Sequence, residues 1–74
     1  MDIKWEENSE ISVRVEKDGV VVLSGNKAGL LTLSRMMADL AECEVREHVH
    51  LDEENGLKEG SGGMIIEKNQ WHKS

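Results

Sequence analysis

Ile11, Val13 and Val15 alternate with Ser12, Arg14 and Glu16, the period-two pattern of a strand that buries one side. Asp18-Gly19 follows and reads as a two-residue hairpin turn. Such a turn sets Val15 opposite Val22 and Val13 opposite Ser24, and sends Val21 and Leu23 to the side that carries Arg14 and Glu16. The returning arm, Val20-Val21-Val22-Leu23, does not alternate. It is apolar on both sides.

The period then changes. Leu30, Leu33, Met36, Met37, Leu40 and Ala41 fall on one stripe at about 100° per residue, with Arg35, Asp39 and Glu42 away from it. Asn26 is placed to cap this helix, and Gly25 suits the tight step from strand to helix. Gly29, inside the first turn, weakens the helix by up to about 1 kcal/mol, and Leu31 points to the polar side. Beyond the helix, Val49 and Leu51 alternate with His48 and His50, the Gly- and charge-rich stretch 52–63 reads as a loop, and Met64-Ile65-Ile66-Glu67 as a last strand. The predicted order is β-β-α-β-β, an α+β two-layer domain with one amphipathic helix on a four-stranded, mainly antiparallel sheet. Residues 1–74 are expected to form a single domain, with a folded part over about 3–68 and a polar tail over 69–74. One helix roofs one sheet face. The other is expected to carry Val21, Leu23 and either Ile65 or the pair Met64 and Ile66, an apolar patch to be closed by a partner, a second copy, or Trp5 and Trp71.

Composition narrows the function. The chain has no Phe or Tyr, only two Trp, and a formal charge of -6, so it lacks both the aromatic platforms and the basic grooves that nucleic-acid modules use. The same charge favours basic protein partners over anionic lipid surfaces. Cys43 is the single cysteine, so no intrachain disulfide forms, as suits a reducing compartment. Residues 1–10 do not have the basic start and apolar run of a signal peptide, and no stretch approaches the roughly 20 apolar residues of a membrane span. The expected location is the cytoplasm.

His48, His50 and Asp52 share one strand face and make a weak zinc candidate, but a catalytic zinc needs three protein ligands, an open position and a general base. Asp52-Glu53-Glu54 fails as a calcium loop, because Gly56 and Gly63 fall where the loop needs its ligands. Gly60-Ser61-Gly62-Gly63 is followed by a strand and lacks the Lys-Ser/Thr of a phosphate loop. Ser61 has no nucleophile setting, and Cys43, between Glu42 and Glu44, is better suited to packing than to attack. No catalytic residue and no cofactor is expected.

The run from Gly25-Asn26 into the Leu-rich helix, the His-x-His-Leu-Asp strand end, the Asn55-Gly56-Leu57 turn, and Gly60-Ser61 before the final strand together resemble the immunity protein 32 family of bacterial polymorphic toxin systems. The resemblance spans about residues 19 to 68. It departs from the pattern at Gly62-Gly63, where a larger polar residue is expected. It implies a cytoplasmic, non-catalytic protein that binds a cognate toxin and blocks it.

The expected function is therefore a toxin-neutralising binding module with a basic target. Asp52, Glu53, Glu54 and Glu59 are the expected steering residues, and Val21, Leu23 and Leu31 the expected apolar contacts. Two rival readings are a homodimeric structural or regulatory protein and a zinc-binding protein using His48 and His50.

Overall fold

The computed structural model describes residues 3–70. Strand β1 covers Ile11–Val15, β2 Val21–Gly25, helix α1 Lys27–Ala41, β3 His48–Leu51 and β4 Met64–Glu67. The α+β class and the order β-β-α-β-β are as expected. The single four-stranded sheet is not: β1 pairs only with β2 and β3 only with β4, giving two antiparallel hairpins. The reason lies at the outer edge of β1, where the irregular segment 58–62 takes the place a third strand would occupy. Lys58 N–H donates to the Ile11 carbonyl (2.8 Å), Gly62 N–H donates to that of Val13 (2.9 Å), and Val13 N–H donates to Ser61 Oγ (3.2 Å). Ser61 N–H also turns back to the Lys58 carbonyl. The hairpins are thus stitched together by a turn, not by a continuous ladder.

The first hairpin corrects the expected register. Its loop has three residues, Lys17 to Gly19, closed by Glu16 N–H to the Val20 carbonyl (2.8 Å) and Gly19 N–H to the Glu16 carbonyl (2.9 Å). Gly19 sits at φ +87°, the left-handed position that a three-residue hairpin loop assigns to glycine. One extra loop residue shifts every pair: Val15 faces Val21, Val13 faces Leu23 and Ile11 faces Gly25. Because side chains alternate with period two, the slip moves Val21 and Leu23 onto the same face as Ile11 and Val13, and leaves Val22 with Arg14.

Helix α1 starts where Asn26 caps it. Asn26 Oδ1 accepts from Gly29 N–H (2.8 Å) and from Glu10 N–H (2.9 Å), while its Nδ2 donates to the Asn8 carbonyl (2.7 Å). One side chain therefore ties the helix start to the approach into β1. Gly29 is buried at this junction, and a Cβ there would lie 2.5 Å from the Glu10 carbonyl oxygen and 2.8 Å from Ile11 Cγ1. Its role is close backbone approach, which outweighs its poor helix propensity. At the other end, Lys68 Nζ donates to the carbonyls of Ala41 and Cys43, both at 2.6 Å. A cation from β4's continuation thereby satisfies the helix C-terminus.

The core gathers Ile11 and Val13 from β1, Leu33, Met36 and Leu40 from α1, Val49 and Leu51 from β3, and Leu57 from the loop, with Ile3, Trp5, Cys43, Met64 and Ile66 packed against it. Gly29 and Thr32 belong to the buried helix face, whereas Leu30 and Met37 of the expected stripe are exposed. The expected apolar far face does not form. Val21 and Leu23 are on the core side, Met64 and Ile66 pack against the core, and the outer faces carry Ser12, Arg14, Val22 and Ser24 on one hairpin and His48, His50, Ile65 and Glu67 on the other. Of the exposed apolar residues, Val15 and Val21 sit at the margin of the first hairpin, at 65% and 57% exposure, and Ile65 stands alone among polar neighbours on the outer face of the second. Trp5 packs toward the core and Gly56; Trp71 lies outside the described residues.

Candidate partner-binding site

The acidic loop after β3 is a built turn. Asp52 Oδ1 accepts from Glu54 N–H (3.0 Å), its carbonyl accepts from Asn55 N–H and Leu57 N–H (both 3.0 Å), and Asn55 Nδ2 reaches back to the His50 carbonyl. This Asx-type turn uses the short Asp side chain to replace backbone partners. Gly56, at φ +99°, lets the chain fold back so that Leu57 enters the core while the indole of Trp5 lies against the Gly56 backbone. Any Cβ at position 56 would collide with that ring.

The consequence is a division of labour among the carboxylates. Asp52 shapes the loop, while Glu53 and Glu54 are exposed and make no ion pair among the described residues. Asp52, Glu53 and Glu54, with Ser61 and Gly63, line an open depression of about 460 Å³. Glu59 is exposed on the adjacent turn and is not part of that lining. Nearby, Glu10 Oε2 accepts from Lys58 Nζ at 2.7 Å. That hydrogen bond, reinforced by the lysine's charge, holds the Glu10 carboxyl below its ordinary value of 4.5.

The expected apolar contacts do not join this surface. Val21 and Leu23 lie on β2, separated from segment 58–62 by the width of β1. Leu31 is on the exposed side of α1, as its place off the apolar stripe suggests. The seven expected contact residues therefore form three separate places, not one patch.

His48 and His50 do come together, with ring centroids 5.0 Å apart and ring planes inclined by 67°. His48 Nδ1 lies 3.3 Å from the Arg46 carbonyl. Among the described residues no group of three or more His, Cys, Asp or Glu side chains is arranged to hold a metal ion. Cys43, half-buried, directs its Sγ to the Asp39 carbonyl at 3.3 Å and packs against the core. No helix among the described residues is long and apolar enough to cross a membrane.

Residues 20–69 match the family model described as Immunity protein 32. No curated protein and no solved structure matches the chain.

Proposed function

The chain belongs to the immunity protein 32 family, and from that membership we propose that it neutralises a cognate toxin by binding it, without chemistry of its own. The family match carries this reading. The built acidic loop, on a chain of net charge -6, supports a basic toxin as the target. Glu53, Glu54 and Glu59 supply a field that raises the encounter rate, and Asp52 holds the loop that presents them. Leu31, exposed on the helix, adds an apolar contact at the periphery. Val21 and Leu23 lie on β2, across β1 from the bridging turn, and serve a contact of their own. The action takes place in the cytoplasm, where the single Cys43 stays reduced.

The test is co-expression with the product of the gene immediately upstream. This chain should restore growth to cells poisoned by that product and should co-purify with it. In the purified pair, the triple variant Asp52→Asn, Glu53→Gln, Glu54→Gln should associate more slowly, with a flatter salt dependence. Growth arrest that this chain does not relieve would refute neutralisation. An unchanged association rate would remove the acidic loop from recognition while leaving neutralisation intact.

A further inference from the structure

The free edge of the first hairpin has the chemistry of a strand-pairing surface. In β1 the Ile11 and Val13 backbone groups point away from β2, toward Lys58, Ser61 and Gly62. In an antiparallel ladder their partners across the hairpin point the opposite way. Val21 and Leu23, paired with Val15 and Val13, therefore aim their N–H and C=O groups outward, and no described strand receives them. Natural edges are usually blunted by charge, proline or a bulge. β2 has none of these: its register runs unbroken from Val21 to Gly25, the chain contains no Pro, and residues 19–26 contain no charged side chain.

We propose that β2 pairs antiparallel with β2 of a second copy of this chain, joining the two hairpins into one four-stranded sheet across a two-fold axis at Val22. Two observations select this occupant. First, the edge is self-complementary: with Val22 facing its own copy, Val21 faces Leu23 of the other chain, and both outward-pointing residues exchange backbone hydrogen bonds. On the core-side face this lines up Val15, Val21, and the other copy's Leu23 and Val13 in one apolar row, covering Val15, Val21 and Leu23, which are exposed in the monomer. Second, charge sorts the partners. A basic toxin gains no charge attraction from an uncharged strand, whereas for two chains of net charge -6 an uncharged strand is where contact meets the least local repulsion.

Sedimentation equilibrium of the isolated full chain, from micromolar to millimolar concentration, tests this without any toxin, so it stands or falls apart from neutralisation. The mass should rise from monomer to dimer, and added salt should strengthen the dimer by screening the repulsion. Salt should have the reverse effect on a complex with a basic partner. Val21→Lys with Leu23→Lys places like charges opposite each other and should weaken the dimer at least about tenfold. Val21→Lys with Leu23→Glu places Lys opposite Glu and should retain it, circular dichroism confirming that both variants fold. The Val21 and Leu23 amides should become slow to exchange as concentration rises. A chain that stays monomeric at millimolar concentration and high salt overturns the proposal. So does a dimer indifferent to the double-lysine variant, or one whose Val21 and Leu23 amides still exchange freely.

Discussion

Strands β2 and β3 make an instructive pair. β2 begins Val21-Val22-Leu23 and has no buried residue, while β3 reads His48-Val49-His50-Leu51 and buries both its apolar residues, to 2% and 1% exposure. The more apolar strand is the less buried one. Position decides this: β3 pairs with β4 and sends Val49 and Leu51 into the same buried cluster as Leu33, Met36 and Leu40 of α1, whereas β1 alone carries the first hairpin into that core, and β2 lies beyond it as an open edge. Hydrophobic content marks what a segment can contribute, and the neighbours on its two edges and two faces determine what it does contribute.

The sharpest way to break the contrast is to truncate one leucine in each strand. Leu51→Ala removes a buried side chain from the centre of the core and should cost about 2–5 kcal/mol. Leu23→Ala, at 37% exposure, should cost less than half as much in dilute solution. Urea unfolding at micromolar concentration compares them, and equal losses would mean that β2 is as much a part of the core as β3.

Next comes the junction that holds the first hairpin to the helix. Gly29→Ala gains up to about 1 kcal/mol of helix propensity, but its Cβ would press on the Glu10 carbonyl and Ile11, and such overpacking typically costs about 1–3 kcal/mol. A net loss of stability is expected, in contrast to the gain the same change gives on an exposed helix face. Asn26→Ala should cost about 0.5–2 kcal/mol as a lost N-cap. It should also speed amide exchange at Glu10 as well as at Gly29, since one oxygen accepts from both.

The smallest effect concerns the Glu10–Lys58 pair, which bolts the first hairpin to the bridging turn. Glu10 has a lowered pKa in the folded chain, so its contribution is complete above the ordinary value of 4.5 and is lost as pH falls through the lower folded value. Glu10→Gln should therefore shift the urea midpoint slightly at neutral pH and progressively less under acid conditions. A difference between the two proteins that persists unchanged into acid would separate the stabilisation from the charge.

Local signals were legible in the sequence, and signals between distant segments were not. Asn26 could be named as a cap because its partner at Gly29 is only three residues away, and the period change that follows it marks the helix. The hairpin register failed by one residue because Asp18-Gly19 suits either a two-residue turn or the end of a three-residue loop. That one residue decides the face of Val21 and Leu23. The bridging segment 58–62 pairs through backbone groups and one Ser hydroxyl, so it leaves no hydrophobic period to read. Lys68 is 27 residues from the helix end that it caps, and nothing in the helix's own last turn announces it. Of the candidate site, the acidic loop was legible from composition. Its scattering away from Val21, Leu23 and Leu31 was not, because that depends on how the two hairpins are joined.

The ring of Trp5 resting on the spine at Gly56 makes the acidic turn optically observable. With Trp71 replaced by Phe, the remaining indole becomes a native fluorophore whose emission tracks the posture of the loop 52–57. Docking of a basic protein onto Glu53 and Glu54 could then be followed by colour and intensity in real time, with no dye attached to the surface being recognised.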